Sequence, residues 1–285
     1  MTETDAPKIT RYPATPLPGA PSLGKRMARE LLPPVLMGIV IVIAYHVLRS
    51  TLPEHRLFLM PDSRGMWEQV LTRPDFLAEL LNRSLKTISI ALAGLLISIP
   101  LGIVLAIVMF RFYVMEKAVF PYLVALQSIP VMAIIPLIQS AIGFGFFPKV
   151  LIVALFTFFA IPTTLLLGLK SVDRNIINLF KLQNASWWVM LTKAGLPSSA
   201  PTLFAGLRIS GSLAVIAAIV SELFFLSGRG GLGQLLMNAK IDFKYEQMYA
   251  ALIMSSLLSI AVYLMFNWLG NRLFSNWHES GGKPQ

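Results

Sequence analysis

Cysteine is absent from this chain. Its absence excludes disulfides, thiolate metal sites and a cysteine nucleophile. Histidine is nearly absent: His46, His55 and His278 lie far apart, with no metal-ligand spacing. Charge is scarce, at 13% of residues, where a soluble domain carries about 25%. The acidic side is the poorer one, with 14 Asp and Glu against 24 Lys and Arg, a net charge of +10. No carboxylate pair lies within an apolar run, and neither G-x-S-x-G nor H-E-x-x-H occurs. "GAPSLGKR", Gly19 to Arg26, nearly forms a phosphate-binding loop. It has Arg26 where a hydroxyl would hold magnesium, and no strand precedes it. An enzyme reading has nothing to rest on: no catalytic residue, no metal site and no directly bound cofactor is expected. No repeat with a period of twenty to fifty residues is present, which excludes solenoids and propellers.

What is abundant is apolar sequence. Hydrophobic residues make up 55% of the chain and the mean hydropathy is +0.69. They are gathered into runs long enough to span a bilayer, about 20 residues each. The basic residues stand between these runs. They read as loop charges of a membrane protein and not as a nucleic-acid surface. A polar leader punctuated by Pro7, Pro13, Pro16, Pro18 and Pro21 comes first. It carries no signal-peptide pattern, so the first apolar run is expected to stay as an anchor.

The expected organisation is a disordered cytoplasmic leader over 1–30, a six-span domain over 31–270 and a cytoplasmic tail over 271–285. The spans end near Leu48, then run over Leu85–Phe110, Ala118–Ile142, Val150–Leu169, Leu203–Leu226 and Tyr249–Leu269. Between the first two, Met66, Trp67, Val70 and Leu71, then Phe76, Leu77, Leu80 and Leu81, recur at helical spacing. They suggest short amphipathic helices. An excess of Lys and Arg on one side, among them Arg111, Lys117, Lys170, Arg174, Lys181 and Lys193, places both termini and the 170–202 loop in the cytoplasm.

Several features mark the spans. Gly94, Ser98, Gly102 and Ala106 repeat at a spacing of four, as do Gly206, Ser210, Ala214 and Ala218. Such stripes let helix backbones approach closely; they pack a bundle or border a channel or dimer seam. Glu222 continues the second stripe and needs the interface, a hydrogen-bonding partner or a wet path. Pro130 and Pro136, followed by Gly143 and Gly145, point to a bent or broken third span. Irregular backbone at that depth belongs beside a cavity or inside protein.

The segment "NASWWVMLTKAGLPSSAP", Asn184 to Pro201, is too polar to span and too patterned for a tether. It resembles the cytoplasmic loop of permease subunits from binding-protein-dependent ABC importers. That family's pattern is E-A-A, three residues, G, nine residues, then I-x-L-P. Leu196–Pro197 matches the L-P, Asn184 stands in for the glycine, and Asn178, Leu179 and Phe180 stand in for E-A-A. "SIPVMAIIPLIQSAIGFG" (Ser128–Gly145) and "SELFFLSGRGGLGQLL" (Ser221–Leu236) resemble motifs of the branch that handles nitrate, sulfonates, taurine and pyrimidine precursors.

The resemblance implies an all-α integral membrane protein with six transmembrane helices, a type I ABC importer permease bundle of the MetI-like kind, in the inner membrane and in contact with its lipid. It implies ATPase subunits that use ATP and Mg, a second permease copy, and an extracytoplasmic solute-binding protein. Coupling to the ATPase is expected from Asn184, Ala185, Ser186, Trp187, Trp188, Leu191, Gly195, Leu196 and Pro197. Pro197 and Pro201 are expected to end the docking helix and open the next span. The transport path is expected near Pro130, Pro136, Ser210, Ala214 and Glu222. Asparagine tolerates the left-handed backbone better than most residues, so the turn at Asn184 is expected to survive the loss of glycine. An ion-coupled secondary transporter and a non-transporting membrane assembly protein remain as alternatives.

Overall fold

The structure is a computed structural model that describes residues 23–225 and 230–274. The described residues are helical, with no strand. Most of the expected leader and tail lies outside them. The last residues of that leader already belong to the first helix, α1 (Leu23–Ser50). The chain forms two compact units, up to Met60 and from Pro61 onward. In the first, α1 carries exposed Leu, Ile and Val on all sides from Leu32, the pattern of a helix surrounded by apolar medium. A 3₁₀ turn (Glu54–Leu59) follows, and the Arg49 guanidinium donates to the Met60 carbonyl at 2.8 Å.

The second unit opens with a short helical turn, α2 (Ser63–Met66), capped by Asp62, and a wide turn over Trp67–Leu71. The long helix α3 (Pro74–Arg111) comes next. Phe76, Leu77, Leu80 and Leu81 therefore belong to the first turns of this helix and do not form a separate amphipathic helix. Pro74 occupies the first turn, where its missing N–H costs nothing, and no breaker follows before the span. At about 1.5 Å per residue the helix is about 57 Å long, nearly twice the hydrocarbon core, so its polar first third stands outside the slab. There Phe76 and Leu80 pack with Val70, Leu232, Leu235 and Ala251.

The third span is broken, as the prolines suggest. Helices α4 (Tyr113–Ser128) and α5 (Val131–Ile142) meet at a bend of 100°. Ile129 and Pro130 are extended there, with ψ of 123° and 110°. Proline pushes its predecessor out of the helical region. Pro136 sits inside α5 without breaking it. The fourth span divides at Phe159 into α6 (Phe146–Phe158) and α7 (Ala160–Lys170). Pro162 removes an N–H from the ladder here, and the Thr163 and Thr164 hydroxyls donate to the carbonyls of Phe159 and Ala160 at 2.8 Å. After α7 come α8 (Arg174–Leu182), α9 (Trp187–Met190), a π turn (Leu191–Gly195), α10 (Leu196–Phe224), α11 (Leu232–Ile241) and α12 (Tyr245–Phe274). Five helical runs are long and apolar enough to cross a membrane, and the bent α4–α5 pair makes a sixth.

The core of this unit packs α3, α6, α7 and α12 around α10. Ala91, Leu95, Val153, Ile161, Ala214, Val215, Ala218 and Phe266 are among its buried members. Both small-residue stripes are buried at tightly packed seams of this bundle. A Cβ on Gly94 would lie 2.4 Å from Val153 Cγ1, and one on Gly206 would lie 2.1 Å from Thr164 Oγ1. A polar ladder crosses the same seam: the Thr157 hydroxyl donates to Ser98 Oγ at 2.9 Å, and the Ser210 hydroxyl to the Thr157 carbonyl at 3.4 Å. Gly94→Ala is expected to destabilise the protein by about 1–3 kcal/mol through overpacking. Gly38→Ala, where a Cβ meets nothing within 4 Å, should leave stability unchanged or slightly raised. Thermal unfolding in one detergent ranks the two.

Candidate functional site

The loop between the fourth and fifth spans is built from two helices joined by a tight turn. Asp173 caps α8, its carboxylate accepting from Asn175 N at 2.8 Å. The helix ends in a Schellman turn: Ala185 N donates to Phe180 O and Asn184 N to Lys181 O, both at 3.0 Å. The turn needs a residue in the left-handed region, and Asn184 takes it with φ of 52°. Ser186 then caps α9 by accepting from Val189 N at 3.4 Å. Asn184→Gly should be neutral, whereas Asn184→Val should cost about 1–2 kcal/mol at this turn and lower ATP-driven uptake. Paired measurements of thermal unfolding and transport check both.

Helix α8 is amphipathic and buries none of its residues. Ile176, Leu179 and Leu182 are exposed, Leu182 at 82%. Trp188 and Val189 add to them, with Trp188 65% exposed. Trp187 meets Trp188 edge-to-face at 4.8 Å but leans the other way. It is half-buried beside Ala106, Leu165, Leu169 and Leu191, with the Arg111 guanidinium 5.4 Å from its ring. Leu191 and Gly195 are buried; Leu196 and Pro197 are half-buried.

The expected coupling residues therefore divide. Asn184, Ser186 and Trp188 are exposed, Ala185 is partly so, and Trp187, Leu191, Gly195, Leu196 and Pro197 hold the loop to the bundle. Ile176, Leu179 and Leu182 add exposed apolar surface that sequence reasoning did not single out. Their spacing of three along a short polar-flanked helix was the available signal.

Pro197 does not end the helix expected to dock. It sits in the first turn of α10, and the π turn Leu191–Gly195 carries the helix past it, with Leu196 N bonded to Leu191 O. A wide turn of this kind absorbs a local break in the ladder. The result is one helical run from Trp187 to Phe224, with the exposed surface at one end.

The other end carries Glu222, fully buried. Its carboxylate accepts from Gly231 N and Gly233 N, both at 3.0 Å, and from the Thr87 hydroxyl at 2.9 Å. Thr87 Oγ1 in turn accepts from Leu232 N at 2.8 Å. A carboxylate on α10 and a hydroxyl on α3 thus satisfy the first N–H groups of α11, where negative charge is favoured. Arg83 ties the same corner, donating to Gly230 O at 2.8 Å and Gln234 Oε1 at 3.2 Å. Gly230 N also donates to Gln234 Oε1. The Lys149 ammonium lies 5.8 Å from the centre of the Phe225 ring and attracts the carboxylate.

Of the expected path residues, Ser210, Ala214 and Glu222 are sealed inside the protomer, while Pro130 and Pro136 are exposed at the bend. The two regions meet at one cavity, lined by Ile129 and Ile134 from the bend and by Leu213, the neighbour of Ala214, from α10.

The described residues thus form a bundle of membrane-crossing helices with a capped helical projection continued into the central helix. The chain belongs to the family described as binding-protein-dependent transport system inner membrane component, whose model matches residues 98–275. It is 29% identical over 244 residues to a probable ABC transporter permease protein of Haemophilus influenzae, covering 86% of this chain and 97% of that one. It is 36% identical over 187 residues to the formylaminopyrimidine transport permease protein ThiX of Halalkalibacterium halodurans, covering 66% and 74%. Its fold is similar to that in inward-facing structures of the MetNI methionine ABC transporter, with a TM-score of 0.54 at 20% identity over 79% of this chain and 99% of that one. The protein is thus a membrane permease subunit of an ABC importer for a small solute. It is not itself an enzyme; the ATPase is a separate subunit.

Proposed function

We propose that this permease moves a small, neutral nitrogen heterocycle of the pyrimidine kind. The observation that carries this reading is the ranking of its relatives. Identity is 36% to the formylaminopyrimidine permease and 35%, over 166 residues, to the riboflavin permease RibX of Chloroflexus aurantiacus. It is 26%, over 163 residues, to the putative aliphatic sulfonates permease SsuC of Bacillus subtilis. Charge supports it: no Lys or Arg stands near the centre of an apolar run to receive an anion. Arg208 is occupied by Asn267 Oδ1 at 2.7 Å.

Two permease copies, two ATPase subunits and an extracytoplasmic binding protein form the working complex in the inner membrane. Both termini and the α8–α9 projection are cytoplasmic, as the loop charges favour. The ATPase seats Ile176, Leu179, Leu182, Trp188 and Val189; its closure pushes α10 as a lever and alternates the access of the path. Uptake into proteoliposomes holding the whole complex tests the reading. Labelled formylaminopyrimidine should enter only with ATP on the ATPase side, and a hundredfold excess of an alkanesulfonate should not compete. Uptake without ATP, or competition by the sulfonate, overturns it.

A further inference from the structure

The break in the third span borders a cavity of about 190 Å³. On one side it is lined by Gln127 of α4 and Ile134 of α5, and on the other by Leu155 and Phe156 of α6, Phe159, and Leu213 of α10. Phe156 and Phe159 lie about half-way along the fourth span, Phe146–Lys170, so the cavity sits near mid-membrane depth. Its wall is apolar and aromatic with one exception. Gln127 is exposed on its helix, and its amide has no hydrogen-bond partner among the described residues. An unpaired amide in hydrocarbon is costly, so this position makes physical sense where water or a solute reaches it. The bend adds to this: Pro130 has no N–H to offer the Leu126 carbonyl, leaving another acceptor at the same break. Secondary transporters hold their solutes at interrupted spans near the membrane midplane.

We propose that this cavity is a transient binding site on the transport path for a single-ring nitrogen heterocycle. The Gln127 amide is paired with a ring nitrogen or its amino or carbonyl substituent, and the ring lies against Phe156 and Phe159. The proposal rests on the heterocycle reading above and narrows it. An amide both donates and accepts, which suits a ring bearing both kinds of group and gives nothing special to a sulfonate. Aromatic rings take a planar solute in stacked or edge-on contact. Size selects further. Pockets that bury drug-sized ligands begin at about 300 Å³; the cavity is below that, fitting one substituted ring and excluding a three-ring flavin with its side chain.

The test uses the whole complex in proteoliposomes, with labelled formylaminopyrimidine as the probe. Gln127→Leu is expected to cut uptake at least tenfold with the membrane level and bound ATPase unchanged, and Gln127→Asn to restore part of it. Because the chain has no cysteine, Ile134→Cys supplies a single thiol at the cavity wall. Saturating probe should slow its modification by a small methanethiosulfonate at least fivefold. In complexes that transport the probe, failure of either readout overturns the site and leaves the heterocycle reading standing: uptake by Gln127→Leu within twofold of wild type, or a thiol the probe does not protect. A wild-type complex that does not take up the probe at all overturns both together.

Discussion

Replacing Leu182 and Trp188 together by aspartate is expected to leave a folded permease in the membrane that no longer retains its ATPase. Both side chains are mostly exposed and neither supports the bundle, so the substitution removes contact surface and not structure. Central aromatic and apolar anchors of an interface each contribute about 2 kcal/mol or more. Loss of one weakens binding at least about 30-fold, and the added carboxylates must be desolvated in the partner's cleft. Co-purification and ATP-driven uptake should both fall to background, with the melting temperature of the isolated permease within a few degrees of wild type. Leu191→Ala makes the contrast. That side chain is 1% exposed and packs with Ala106, Leu165 and Leu169, so it should lower the melting temperature first. If the aspartate pair kept its ATPase, docking through this projection would be wrong.

Glu222→Ala should be the most destabilising single replacement in the membrane domain. It strands the N–H groups of Gly231 and Gly233 and frees the Thr87 hydroxyl, all now held by one carboxylate. Each buried group left unsatisfied costs about 1–3 kcal/mol. A total of about 3–5 kcal/mol is expected from these stranded groups. Glu222→Gln should fall between wild type and alanine. Its amide keeps one acceptor but presents a donor where the carboxylate received one. Thermal unfolding in detergent and the yield of membrane-inserted protein give the ranking; an alanine variant as stable as wild type would remove Glu222 from the structural account. Because Trp187–Phe224 is one helical run, the same variant also separates two functions. ATPase binding at the projection should persist while transport is lost with the corner at α11.

Much of this was readable in the sequence because the rules involved are local. A lipid-spanning helix must be long and apolar, a proline removes a specific N–H, and a left-handed turn admits few residues. Those rules gave the spans, the break at Pro130 and the turn at Asn184. They did not extend the second helix back to Pro74, because polar residues there look like a loop when a helix projects beyond the slab. They also gave Pro197 a stop it does not make, since a π turn lies just ahead of it.

The sequence alone determined a chain of membrane-crossing helices, through the length and apolarity of its runs, and its resemblance to importer permeases singled out the loop over 170–202. Only the tertiary structure decided which side of the projection is free, that the small-residue stripes are buried at tightly packed seams, and that Glu222 anchors α11. Periodicity places residues on a common face but does not say what lies across it. In a membrane, lipid, a neighbouring helix and a partner subunit all meet similar apolar side chains.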